Sequence, residues 1–213
     1  MASRSLDEIL GLVDEGRPVL RRLRGLLLSE DDLIRDRAAE AVGVVAGRLW
    51  PRRPGQVRNL VQALLWSLND ESGMSGRGSP EALGHIVLAI PEKAADIVPI
   101  LISYLDNEQI ALDDEILDAG VLASLARLGC DVVRMSDEGL VRLAGLLRDP
   151  RPRLRGLTAW AAGSLGLGAL RDALEDLRGD RDVFPLYRDG VLTNPQVGRV
   201  AEEALEALRC GIA

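Results

Sequence analysis

The stretch that decides the fold is DPRPRLRGLTAWAAGSLG, residues 149–166. It begins with an Asp-Pro pair, typical of a turn, and continues with a predicted helix in which small residues alternate with larger ones. A second stretch, DLIRDRAAEAVGVVA at residues 32–46, repeats its pattern. Leu154-Arg155 corresponds to Ile34-Arg35, and the alternating small residues that follow also coincide. The two stretches are 120 residues apart, which equals three units of about 40 residues. We therefore expect further copies between them.

Three further segments fit the same register: residues 79–90, 116–129 and 197–208. Each of the five copies is preceded by a stretch whose apolar residues recur at three- and four-residue steps, the period of an amphipathic helix. These stretches are residues 18–28, 56–68, 95–105, 137–147 and 167–177. Each copy is therefore predicted to be the second helix of a helical pair.

Stacking is expected because one helical pair cannot bury its own apolar face. We predict an all-α fold, a right-handed α-α superhelix of about five helical pairs. It would form a single domain over residues 1–213, and the residues before Leu6 would form a short leading helix. The approximate repeats, each one helical pair, are residues 1–50, 51–92, 93–130, 131–166 and 167–213.

The pattern I/L-R-x-x-A-A-x-A-x-G, preceded by Asp and Pro, resembles the HEAT repeat. The short form seen at residues 149–166 and 32–46 is similar to the PBS-lyase HEAT-like repeats of phycobilin lyases and many bacterial proteins. The other copies depart from it, with Asp118 and Pro80 where the pattern has Arg. The resemblance implies an armadillo-type α-solenoid. It leaves the function open, because one fold hosts many functions.

Composition restricts the classes of function. Apolar residues make up 47% of the 213 residues and aromatic residues only 3%, which favours closely packed helices. The net charge of −7 argues against nucleic-acid binding, although a local basic patch could exist within it. Two distant cysteines, Cys130 and Cys210, predict neither a disulfide framework nor a zinc site. Acidic residues interrupt the apolar N-terminal stretch and no apolar run is long enough for a membrane span, so we expect a cytoplasmic protein.

The register also predicts which side chains face the concave surface. One position lies between the paired small residues of each second helix, and it is occupied by Glu40, His85, Ala123, Trp160 and Glu203. The position one turn earlier is occupied by Asp36, Glu81, Ala119, Gly156 and Arg199. We expect both rows to line a groove with an acidic end, a middle of small residues and one aromatic residue.

Two connections are longer than the usual turn between paired helices, residues 69–79 and 179–195. Long loops on a rigid scaffold often carry binding residues. The glycines of the first loop favour either a flexible connection or the binding of an anion or peptide. Residues 184–187 of the second loop, Phe-Pro-Leu-Tyr, either pack back over the last pair or contact a partner.

His85 and Trp160 have two interpretations each. His85, with Glu81 one turn before it, is either a solvated histidine or part of a metal or acid/base site, and the first is favoured because metal sites collect several His or Cys ligands. Trp160 is either a core residue or an exposed anchor for a partner. Arg155 is expected to pair with acids of adjacent repeats, Asp118 among them.

These observations predict a non-catalytic scaffold or adaptor that binds another protein, with no cofactor, no metal and no membrane partner. The predicted partner-binding residues are Glu40, Asp70, Glu71, Glu81, His85, Trp160, Phe184, Tyr187 and Arg188. The alternative is a phycobilin-lyase-like enzyme, or a partner of one, that handles a tetrapyrrole. A nucleic-acid-binding protein is a third interpretation, which the negative charge opposes.

Overall fold

The computed structural model describes residues 2–69, 76–106 and 115–210, and within them the chain is a succession of α-helices. The helices are α1 Ala2–Asp14, α2 Val19–Leu26, α3 Asp32–Leu49, α4 Pro54–Ser67, α5 Ser79–Ala89, α6 Ala94–Asp106, α7 Glu115–Leu128, α8 Asp137–Leu146, α9 Pro152–Ser164, α10 Arg171–Asp176 and α11 Val197–Cys210. No helix in these ranges has the length and apolarity that crossing a bilayer requires.

The all-α prediction is confirmed: α2 to α11 follow one another in the order of five pairs, and contacts join α2 to α3, α4 to α5, α8 to α9 and α10 to α11. The five segments assigned from the sequence as second helices are α3, α5, α7, α9 and α11. The leading helix was predicted for the residues before Leu6, and the structure shows it to be longer: α1 continues to Asp14. The chain divides into two compact units, residues 1–97 and 98–213, and the single-domain assignment stays a prediction.

Among the residues that the structure describes, a β-hairpin interrupts the succession of helices. Strands β1, Leu186–Arg188, and β2, Val191–Thr193, pair antiparallel within the second long loop. Asp189 and Gly190 connect them with φ angles of 53° and 79°. A two-residue turn with both φ angles positive is the turn that best matches the twist of a β-hairpin, and Asp-Gly is a preferred pair for it. The long connection predicted over residues 179–195 therefore contains a hairpin that the sequence analysis did not predict.

An arginine in the first turn of the second helix stabilises the turn that precedes it. Arg35 in α3 donates a hydrogen bond to the carbonyl oxygen of Ser29 at 3.0 Å. Arg155 in α9 donates in the same way to the carbonyl oxygen of Asp149 at 2.9 Å. Both arginines reach six residues back, and each satisfies a carbonyl group in the turn that otherwise has no helical partner. The shared Leu/Ile-Arg pair of the two clearest copies thus has the same structural role in both.

The second helices pack against one another. In the first unit α3 packs on α5, and in the second unit α9 packs on both α7 and α11. Glycines allow the backbones to approach closely. A Cβ atom built on Gly43 would lie 2.6 Å from the carbonyl oxygen of His85, and one built on Gly163 would lie 2.7 Å from the Cα atom of Ala204. Any larger side chain would force these helices apart, which explains the small residues that the sequence repeats.

We predict that Gly43→Ala destabilises the chain. The added methyl group would collide with the backbone of α5, which cannot move like the end of a side chain, so we expect a loss of about 1–3 kcal/mol in the free energy of unfolding. Chemical denaturation followed by circular dichroism measures this loss.

The matched control is Gly25→Ala. Gly25 lies inside α2, and a Cβ atom there meets nothing within 4 Å. Because alanine favours a helix more than glycine does, this variant should be unchanged or more stable by up to about 1 kcal/mol. Equal effects of the two substitutions would contradict the packing described for α3 and α5.

Candidate functional site

The first predicted row of side chains is partly open to solvent. Glu40, His85, Ala123, Trp160 and Glu203 are all half-buried, neither sealed in the core nor fully exposed. Glu40 and His85 lie on α3 and α5 of the first unit, and the other three lie on α7, α9 and α11 of the second. This is the environment that the register predicts. Their role in binding stays a prediction.

The second predicted row does not line a groove. Its members Asp36, Glu81, Ala119 and Gly156 are buried, and only Arg199 is exposed. Glu81, in the first turn of α5, is only 2% exposed. The ring of Phe184 covers Gly156. The prediction that Glu81 is presented to a partner was therefore wrong.

The second long loop packs against the second helices of the second unit, with contacts to α7, α9 and α11. Phe184 and Tyr187 are 2% and 5% exposed. Residues 184–187 thus pack against the protein, as one of the two interpretations held, but Phe184 lies on Gly156 of α9 rather than over the last pair, and direct presentation of Phe184 and Tyr187 to a partner was wrong. Arg188, at the end of β1, remains exposed. Asp70 and Glu71 lie outside the described residues.

The loop and two second helices form a cleft in the second unit. Trp160 on α9, Arg188 on β1 and Glu203 on α11 border a cavity of about 190 Å³. The other residues that line it are Gly163, Ser164, Val200, Ala204 and Ala207. Arg188 and Glu203 form an ion pair across the cleft at 3.1 Å between Nη1 and Oε2. Two of the predicted binding residues, Trp160 and Arg188, therefore come together at one site.

Arg127 was missed by the sequence analysis. Its guanidinium group lies 5.7 Å from the centroid of the Trp160 ring, a cation–π arrangement. It also donates a hydrogen bond of 3.2 Å to the carbonyl oxygen of Tyr187, so it holds the indole ring and the hairpin together. Arg127 follows Ala123, a member of the first row, by four residues. Because residues four apart share a face of a helix, this spacing could have indicated that Arg127 lies near the first row.

Arg155 attaches the loop to α9. It forms ion pairs with Asp180 at 2.8 Å and with Asp182 at 2.7 Å. Burial lowers the pKa of the Arg155 guanidinium, but the hydrogen bonds to the two carboxylates outweigh this and leave the pKa above its ordinary value. Asp180 and Asp182 belong to the adjacent repeat, as expected, but the candidate Asp118 is not among the partners of Arg155. The acids that reach Arg155 come from the loop itself. Asp118 lies 3.9 Å from Arg142 instead.

Comparisons with known proteins identify the fold. No family model and no curated protein matches the chain. Among solved structures, an engineered protein of the Northeast Structural Genomics Consortium, target OR329, is 19% identical with a TM-score of 0.61, and the match covers 97% of this chain and 85% of that one. The designed armadillo repeat protein YIII(Dq)4CqI is 19% identical with a TM-score of 0.56, over 95% of this chain and 86% of that one.

A further match is the designed armadillo repeat protein YIII(Dq.V1)4CPAF, solved in complex with the peptide (KR)4. It is 18% identical with a TM-score of 0.54, and the match covers 95% of this chain and 86% of that one. At these levels of identity the similarity demonstrates the fold alone. The chain has the armadillo/HEAT-type helical-repeat fold, as the repeat pattern predicted.

We predict that Arg155→Gln loosens the loop that borders the cleft. The substitution removes both ion pairs and leaves Asp180, which is largely shielded from water, without its cation, so we expect a loss of about 2 kcal/mol in stability. Amides of residues 182–188 should exchange hydrogen faster than in the unchanged chain.

Arg178→Gln is the control for this substitution. Arg178 forms ion pairs with Glu175 and Glu202, all of them at the surface. Exposed pairs of this kind contribute at most about 1 kcal/mol, so exchange at residues 182–188 should not change. If the two variants loosen the loop equally, Arg155 does not have the anchoring role assigned to it.

Proposed function

We propose that this chain is a non-catalytic scaffold that binds a segment of another protein on the open side of its second helices. The observation that carries the proposal is the cleft of the second unit, where a half-buried tryptophan stands beside an exposed ion pair. The first row of half-buried side chains supports it in both units.

Trp160 has the properties of an anchor for a partner. Tryptophan is enriched among the residues that dominate binding energy, since its large ring buries much area with few rotatable bonds. Arg127 restrains the ring before any partner arrives, which lowers the entropy lost on binding. The cleft of about 190 Å³ has room for one side chain of a peptide rather than for a larger ligand.

The ion pair of Arg188 and Glu203 gives the cleft polar partners on opposite sides. Both side chains are about 40% exposed, so their mutual attraction is weak. A peptide could exchange this contact for its own charged or amide groups at little cost. Arg199 lies 3.5 Å from Glu203 and belongs to the same polar edge.

Proteins with the same fold support this function. YIII(Dq.V1)4CPAF was solved with a peptide bound, and another matching structure is described as a computationally designed armadillo repeat protein for modular peptide recognition. We infer that a peptide segment is the class of partner for this chain too.

We predict that Trp160→Ala weakens peptide binding by about thirtyfold, the effect of losing a residue that contributes about 2 kcal/mol. Random peptides displayed on phage would be selected on the unchanged chain, and the enriched sequences would be titrated against each variant. Far-ultraviolet circular dichroism would establish that the variant is folded.

Trp66→Ala is the matched control, because Trp66 is 73% exposed on α4, a first helix of a pair. Removing this exposed tryptophan should leave the affinity of the selected peptides within about twofold of the original. Failure to enrich any peptide, or equal losses from the two substitutions, would contradict the proposed function.

A further inference from the structure

The geometry points to a second binding site, in the first unit, for a small amphiphilic anion: an apolar body that carries one carboxylate or phosphate group. The site is separate from the cleft at Trp160, and it stands or falls independently of the proposed function.

A cavity of about 410 Å³ opens among the turn after α1, the helix α2, the end of α3 and the start of α4. Its floor is apolar and comes from buried side chains of α1, α3 and α4: Val13, Val45, Leu49 and Leu60. Half-buried Val19 and Leu20 of α2 extend this surface. The cavity thus offers an apolar body a place that is shielded from water.

Four arginines line the same cavity. Arg17, Arg21 and Arg24 recur at steps of four and three residues, so they share one side of α2 and of the turn before it. Arg53, just before α4, adds a fourth positive charge. No aspartate or glutamate is among the described residues that line the cavity. The positive charge is therefore concentrated at this cavity, although the chain as a whole carries −7.

Most of this charge is not neutralised by the protein. Arg17 lies 3.3 Å from Glu15, in a pair of exposed side chains. Within the part of the chain that the structure describes, Arg21, Arg24 and Arg53 form no ion pair. The nearby Asp14 is already engaged by Arg48 at 2.6 Å and Arg52 at 3.7 Å. Like charges one turn apart repel and destabilise a helix, and a bound anion would remove that repulsion.

The combination of floor and charge selects the class of ligand. A guanidinium group binds carboxylate or phosphate through two parallel hydrogen bonds, which identifies the charged group of the ligand. A bare anion would leave the apolar floor in contact with water, and a neutral apolar molecule would leave the arginines unpaired. The volume falls within the range of about 300–1,000 Å³ that is usual for small-molecule pockets. Gln56 and Asn59 at the same cavity provide amide groups for a further polar contact.

Binding of decanoate to the full chain tests this site, with decanol and inorganic phosphate as comparisons that lack the charge or the apolar body. Isothermal titration calorimetry should show saturable binding of decanoate, and decanoate should raise the melting temperature. At equal concentration, decanol and phosphate should each give at least about tenfold weaker binding.

Variants of the arginines connect the binding to this cavity. Arg21→Gln together with Arg24→Gln should weaken decanoate binding by about tenfold or more. Arg22→Gln is the control, since Arg22 is exposed on the same helix and does not line the cavity. Asn59→Trp, which fills the cavity from an exposed position, should also abolish binding while all four arginines remain.

Three results would overturn the proposal: no saturable binding of decanoate at millimolar concentration, decanol binding as tight as that of decanoate, or an Arg22→Gln variant that loses as much affinity as the double variant. Trp160→Ala should leave decanoate binding unchanged. Failure of the peptide experiment is therefore distinguishable from failure of this one.

Discussion

The contact on which the rest of the structure depends is the approach of one second helix to the next, backbone against backbone. At Gly43 and Gly163 there is no room for even one methyl group without displacing the neighbouring helix. Because the helices touch through small residues on one side, larger side chains project from the adjacent side of each helix. The half-buried positions of His85 in the first unit and Trp160 in the second follow from this arrangement. The surface left open to solvent in each unit is thus set by where the glycines and alanines lie.

The second unit shows how an insertion modifies such a repeat. Residues 179–196 leave the last pair, cover Gly156 with the ring of Phe184, and return through a β-hairpin to α11. Arg155, the same arginine that holds the preceding turn, fixes the start of the insertion through two carboxylates. The insertion closes the position one turn before Trp160 and supplies Arg188 to the cleft. The insertion thus gives this part of the repeat surface a cleft bordered by Trp160, Arg188 and Glu203.

The fold could be predicted from the sequence because the signal is local: each second helix repeats small residues at a spacing that one helical turn determines. The hairpin had a local signal too, Asp189-Gly190 between short apolar stretches, but the helical pattern on both sides obscured it. Long-range contacts could not be predicted. The partners of Arg155 and the burial of Glu81 depend on the path of loops and turns. The arginine-lined cavity exists because residues of α1, α3 and α4 lie beside those of α2. The binding roles of Glu40 and His85 stay predictions.

Native-state hydrogen exchange of the full chain tests the central claim most directly, because the slowest amides mark the part of a structure that opens last. If the contact between second helices determines stability, the slowest exchange in each unit will lie in α3 and α5 and in α7 and α9. Helices α2, α4 and α8 will exchange faster. Slower exchange in those first helices than in the second helices would contradict the account.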